Sequence, residues 1–202
     1  MDQRETVNVG RKGDEVFNAG PGEHAVAFHD QDELAQLTGR YLRAALAAGG
    51  TAVVVARPQQ RAAISAWLSR TGIDIVQAWA DGFYVTLDAE ELLSRFMLNG
   101  RPDAALFWAA LSPVLADACR GNAPVRVFGE MVAVLWESGQ PEAAIELEAL
   151  WNEIGGQYPF ALLCGYPAAA MNDEAASDAL AQVCCAHSAV MGAPPSLVEL
   201  TG

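Results

Sequence analysis

Gly49-Gly50-Thr51-Ala52-Val53-Val54-Val55-Ala56-Arg57-Pro58 decides how the rest of the chain is read. Val53-Val54-Val55 shows no polar alternation, which predicts a central strand covered on both sides, as in parallel sheets. The glycine pair ends whatever helix precedes it, and Pro58 stands at a first-turn position, where a helix has no use for the missing N–H. Helix, strand and helix in that order are the unit of an α/β fold.

Outward from this stretch the same alternation repeats. Further strands are expected at His24 to Phe28, Phe83 to Leu87, Pro124 to Phe128 and Phe160 to Cys164. Between them lie segments with helical spacing. Glu33 to Ala48 gathers Leu34, Leu37, Tyr41, Leu42 and Ala45 on one face, and a second helix opens at Pro58 and closes near Thr71-Gly72. Asp88-x-x-Glu91 reads as a capping-box-like start for the helix carrying Leu92, Leu93 and Phe96. Asn99-Gly100-Arg101-Pro102-Asp103 breaks the chain before a long helix through Cys119, with a kink expected at Pro113. Helices follow at about Glu130 to Glu137, Glu142 to Ile154 and Asp173 to Val190, while Ile73 to Ala80 is left unassigned. The fold class expected is α/β, three-layer, with a largely parallel sheet flanked by helices. Residues 1–22 are expected as a flexible lead-in, 23–191 as a single domain and 192–202 as a tail.

The 202 residues, 52% of them hydrophobic, suffice for one domain with its own core. Twelve Lys and Arg against 25 Asp and Glu leave a formal charge of −13, a field that repels nucleic-acid phosphates and anionic membranes. No apolar run approaches the ~20 residues that span a bilayer, and the polar start lacks the apolar core of a secretory signal. A cytoplasmic location is expected, with no direct nucleic-acid or membrane partner. Lys12 is the only lysine, so Schiff-base and lysine-dependent kinase chemistry lack their central residue. Cys119, Cys164, Cys184 and Cys185 show neither C-x-x-C spacing nor scaffold density, and free thiols are expected.

In open parallel sheets ligands bind beyond the carboxyl ends of the strands. That rule selects His29 and Asp30 after the first strand, Arg57 after the second, Glu130 and Met131 after the fourth and Tyr166 after the fifth. Asp88 is read as a helix cap and left out. The first strand-to-helix turn, Phe28-His29-Asp30-Gln31-Asp32-Glu33, has no glycine, no lysine and three carboxylates where a phosphate would need the helix N-terminus. Triphosphate binding in the usual mode is therefore disfavoured, and no cofactor is expected. Glu130 directly after a buried strand suits a metal-nucleotide, a ligand hydrogen bond or a plain cap. On the helix from Glu142 to Ile154, Glu148 and Asn152 fall at the margin of the apolar stripe, within reach of a pocket or of a neighbouring element. His24 and His187 complete a thin set of imidazoles. Cys184-x-x-His187 places a thiol and an imidazole on one helical face, which with Cys164 would suit a soft metal or redox site. A third ligand at good spacing is missing, the thiols read as small buried hydrophobes, and no metal is expected.

The ordered run His24-Ala-Val-Ala-Phe28 with its acidic turn, Leu87-Asp-Ala-Glu90, Phe128-Gly-Glu-Met-Val-Ala-Val-Leu-Trp136, Leu147-Glu-Ala-Leu-Trp-Asn152 and Phe160-Ala-Leu-Leu-Cys-Gly-Tyr-Pro167 resembles the MEDS family, a sensory domain of methanogen and methylotroph proteins. The likeness extends from about His24 to Val190. It implies a RecA- or KaiC-like core without the phosphate loop, acting as a sensor in signal transduction and transcription regulation. The matched positions are Glu130, Met131, Glu148, Asn152 and Tyr166, with His24 and His187 at the ends. The sequence departs from the pattern at Phe28-His29, where the family places Phe-Tyr. Three functions follow as expectations: a non-enzymatic sensor of a small organic ligand, a partner-docking module without a ligand, and a residual nucleotide- or metal-dependent enzyme. The sensor ranks first, signalling through a separate histidine kinase or transcriptional regulator, with homo-oligomerisation left open.

Overall fold

Four strands that keep water from both of their faces dictate the architecture. The computed structural model describes residues 16–29, 31–168 and 177–192. After a single 3-10 turn at Val16–Asn18 come β1 (His24–His29), α1 (Gln31–Ala47), β2 (Thr51–Ala56), α2 (Pro58–Arg70), α3 (Ile75–Ala80), β3 (Tyr84–Asp88) and α4 (Ala89–Phe96). A short antiparallel hairpin follows, β4 (Met97–Leu98) and β5 (Arg101–Pro102), turned by Asn99 and Gly100, which both have positive φ. The chain continues with α5 (Ala104–Ala118), β6 (Val125–Gly129), α6 (Met131–Glu137), α7 (Pro141–Gly155), β7 (Phe160–Pro167), α8 (Ser177–Ala186) and β8 (Ala189–Met191).

Six strands form one all-parallel sheet in the order β3-β2-β6-β7-β1-β8. Alternate residues of each strand enter opposite cores. Val26, Val53, Val55, Val127, Leu162 and Cys164 pack under α4 to α8. Ala25, Ala27, Ala52, Val54, Phe128 and Leu163 pack under α1 and α2, where Leu34, Tyr41, Leu42, Ile64 and Leu68 meet them. The chain moves one way along the sheet from β1 to β3 and the other way from β3 to β8. The helices change face at that reversal, as a single hand of crossover requires. The result is the three-layer α/β fold.

Several elements differ in extent from the sequence reading. The last helix, expected over Asp173 to Val190, ends at Ala186, and Ala189–Met191 becomes a sixth strand beside β1. Three residues are too few to show a period of two, and residues 173–176 lie outside the described part. The unassigned stretch contains α3, whose start is capped by Asp74 accepting from the Gln77 amide at 3.0 Å. Helix α5 contains Pro113, where the kink was expected, and continues past it to Ala118. The lead-in is tied down from Val16, which is buried. Arg126 on β6 donates to the carbonyls of Phe17 and Tyr41, both at 2.7 Å, and holds this segment against α1. Asp88 is the expected cap, accepting from the amides of Glu90 and Glu91, and it also takes a bond from Arg61 at 2.9 Å. Among the described residues, no helix is long and apolar enough to cross a membrane.

Gly50 marks the tightest backbone approach between strand entries. A Cβ built there would lie 2.0 Å from the Pro124 carbonyl oxygen, which already accepts from the Thr51 amide at 2.9 Å. Gly50→Ala is expected to push the entries of β2 and β6 apart and to lower unfolding free energy by about 1–3 kcal/mol, the usual cost of overpacking, measured by urea denaturation.

Candidate functional site

At the carboxyl end of the sheet, β1 and β2 lead into one helical layer, while β7 and β6 lead into the other. The neighbours β7/β1 and β2/β6 therefore diverge, which is the condition for a ligand crevice in a doubly wound sheet. A crevice of about 420 Å³ lies there, lined by His29, Arg57, Gln59, Gln60, Glu130 and Glu137 with Leu34, Ala35, Ala63, Ala133 and Pro167. The Glu130 amide donates to the Val55 carbonyl at 2.9 Å, extending the ladder by one residue and aiming the side chain across the end of β2. Its carboxylate does not cap α6. Oε2 accepts from the Arg57 backbone amide at 2.8 Å, and Oε1 from Arg57 Nε and Nη2 at 2.9 and 2.6 Å. Glu137, two turns on, takes Arg57 Nη1 at 2.6 Å. Bonding to Glu137 foremost, and to Glu130, holds the Arg57 guanidinium above its ordinary range in spite of partial burial. Two carboxylates against one guanidinium leave this trio with a net negative charge.

A second constellation lies inside the molecule, between β1/β7 and α7/α8. The Glu148 carboxylate on α7 is fully buried. Its Oε1 accepts from Tyr166 OH at 2.9 Å and lies 3.4 Å from His187 Nε2. Its Oε2 lies 3.4 Å from Cys164 Sγ and 3.3 Å from His24 Nε2. The two rings stand 4.1 Å apart at 57°. Burial alone would raise the Glu148 pKa, but His187 and then His24 outweigh it and hold the carboxyl well below its usual range. Burial works in the opposite sense on His187, and the Glu148 charge overcomes it, raising the imidazole. Burial first, and the Glu148 charge second, push the Cys164 thiol and the Tyr166 phenol far up, so both stay protonated in the free protein.

The outward nitrogens of both rings are committed. Asn152 gives its amide nitrogen to the Ala186 carbonyl at 3.0 Å, which leaves Oδ1 to accept from His24 Nδ1 at 2.8 Å. The Val183 carbonyl accepts from His187 Nδ1 at 2.6 Å. Each ring thus carries a proton on Nδ1 and turns Nε2 inward. The four donor atoms of His24, Glu148, Cys164 and His187 lie within 4.8 Å of one another, a set able to hold a cation.

Residues 23–188 match the family described as MEDS, MEthanogen/methylotroph, DcmR Sensory domain. The chain belongs to the MEDS family. Among curated proteins, none matches it.

The MEDS domain places the residues singled out in its sequence at two separate addresses. His29, Arg57 and Glu130 line the crevice. Met131 is fully buried in the core beneath it, and Asp30 lies outside the described residues. Tyr166 does not reach the crevice. It faces Glu148 and packs edge-on against Trp136 at 5.7 Å, because inward and outward positions alternate along β7. Glu148 and Asn152 belong to the interior constellation with His24, Cys164 and His187. Cys184 packs in the core on α8 and is not among the clustered donors, and His187 stands just past the end of that helix. Glu137, Gln59 and Gln60 were missed as crevice residues. The seven-residue spacing from Glu130 to Glu137, two helical turns on one face, was the available signal for the first.

Tyr166→Phe removes the hydroxyl that, alone among the described residues, donates to the buried carboxylate, while keeping the ring. Loss of a hydrogen bond to a charged group is expected to destabilise the MEDS domain by about 1.5–3 kcal/mol, read from chemical denaturation of both proteins.

Proposed function

We propose that this MEDS domain is a non-enzymatic sensor that takes a small organic ligand in the crevice at the strand ends and relays its presence to a separate protein. Membership of a sensory-domain family supports the sensory role. The observation that carries the ligand site is the crevice itself, placed where both topological switch points of the sheet open and lined by polar groups that converge from β1, β2 and β6. Its volume of about 420 Å³ falls in the range of small-molecule sites. The excess carboxylate in the Arg57 trio favours a neutral or cationic hydrogen-bonding molecule over an anion. The acidic first turn and the lack of lysine beyond Lys12 speak against a triphosphate. A histidine kinase or a transcriptional regulator suits the receiving role.

Partner docking without a ligand is favoured by a different observation. Val76 and Trp79 on α3 are 79% and 66% exposed, and Phe83 beside them is 45% exposed, next to the edge strand β3. An apolar group of this kind on a soluble surface marks interaction sites.

A thermal-shift series with small neutral and cationic polar organics separates the two readings. A ligand at 100 times its Kd stabilises by about 2.7 kcal/mol, and Arg57→Ala should abolish that shift. Absence of stabilisation by every compound, with partner binding insensitive to Arg57→Ala and lost in Trp79→Glu, would transfer the role to docking.

A further inference from the structure

We infer that His24, Glu148, Cys164 and His187 form a binding site for a divalent transition metal of borderline softness, zinc by class. Four facts converge on it. Tetrahedral zinc with ligands at about 2.0–2.3 Å has ligand-to-ligand edges of about 3.3–3.7 Å. His24 Nε2, Cys164 Sγ and Glu148 Oε2 form a triangle with sides of 3.2, 3.3 and 3.4 Å, and His187 Nε2 stands 3.4 Å from the other carboxylate oxygen. Next, the proton positions are those of metal-ligating histidine. Nδ1–H of His24 is held by Asn152 and that of His187 by the Val183 carbonyl, while Tyr166 holds the carboxylate. Third, the side chain of His187 is fully buried, and its Nε2 faces the constellation without a hydrogen bond to satisfy it. With Nδ1 committed to the Val183 carbonyl, Nε2 is the ring atom left to face the carboxylate at 3.4 Å, and a cation between them would take the place of any proton held there. Fourth, a cleft of about 190 Å³ is bordered by His24 and by its partner Asn152, on the outer side of one of the four donors.

Thiolate, carboxylate and two imidazoles suit zinc, whereas magnesium and calcium prefer oxygen donors throughout. Binding forms four metal–ligand bonds and releases the Cys164 thiol proton to solvent, along with any proton held on an imidazole Nε2. No electron is transferred. The cation's two charges are balanced by one thiolate and one carboxylate, so the interior becomes neutral. All four side chains are nearly or fully buried and none is left over as an open position, which is the pattern of a structural site. Of the soft-metal set expected from Cys184, His187 and Cys164, Cys184 is not among the clustered donors, and His24 from β1 and Glu148 from α7 join the other two. The ligands come from β1, α7, β7 and the segment after α8, so the metal would pin the end of the domain onto its first strand.

The test uses the full chain without a histidine tag. Metal analysis after purification should find close to one equivalent of zinc, and chelator-stripped protein titrated with cobalt(II) should develop a thiolate-to-cobalt charge-transfer band. Cys164→Ser should abolish the band, while Cys185→Ser, a change at an exposed thiol, should keep it. Asn152→Ala leaves all four donors in place and should weaken cobalt binding roughly 10- to 100-fold, the usual effect of losing a partner behind a ligand. That variant decides the matter if Cys164→Ser fails to fold. A wild-type protein with no band at saturating cobalt and no rise in melting temperature with zinc would overturn the inference. So would a band that survives Cys164→Ser, or cobalt affinity unchanged in Asn152→Ala.

Discussion

Every residue of β1, β2 and β6 is buried, and so is all of β7 up to Tyr166. A sheet with no wet face must be apolar on both, must be covered by helices on both, and must use parallel strands joined by helical crossovers. The alternation of small residues such as Ala25, Ala27 and Ala52 on one face with Val26, Val53 and Val55 on the other follows from it. So does the reversal in the direction of travel after β3, since a chain that always moved one way would cover a single face. The crevice is a by-product of that reversal, because strands leading to opposite layers separate at their carboxyl ends.

The charged groups inside this structure bring partners with them. Arg57, Glu130 and Glu137 satisfy one another at the crevice rim, where water still reaches the guanidinium. Glu148 has no such access. A buried carboxylate without hydrogen bonds would neutralise itself, and here Tyr166, Cys164 and two imidazoles surround it and keep it ionised. Arg126 solves the same problem in a third way, by donating to the backbone carbonyls of Tyr41 and Phe17. The interior polar groups thus tie together segments far apart in the chain, Phe17 to β6 and His24 to both α7 and the end of α8.

The crevice and the interior constellation share two strands. His24 opens β1 and His29 closes it, and β7 carries Cys164 and Tyr166 inward before Pro167 reaches the crevice wall. Because β1 and β7 are hydrogen-bonded over six residue pairs, a displacement of one at the crevice must be followed by the other or must break ladder bonds. The paired strands β1 and β7 thus run from the surface crevice to the buried constellation with no intervening loop.

Local pattern alone was enough for five of the six sheet strands, the cap at Asp88, the first-turn proline Pro58 and the carboxyl-end residues His29, Arg57 and Glu130, because strand periodicity and loop chemistry are properties of short stretches. The resemblance also named Glu148, Asn152, Tyr166, His24 and His187, but could not say that they meet. Their contacts span 16 to 128 residues and more along the chain, and no short-range spacing encodes them. The strand Ala189–Met191 escaped for the same reason, being a strand only because β1 offers it an edge. Side chains that bear on chemistry came from the residues themselves; which of them look outward at a crevice and which look inward at one carboxylate followed from strand register and from the face on which each helix lands, and these exist only once the sheet has closed.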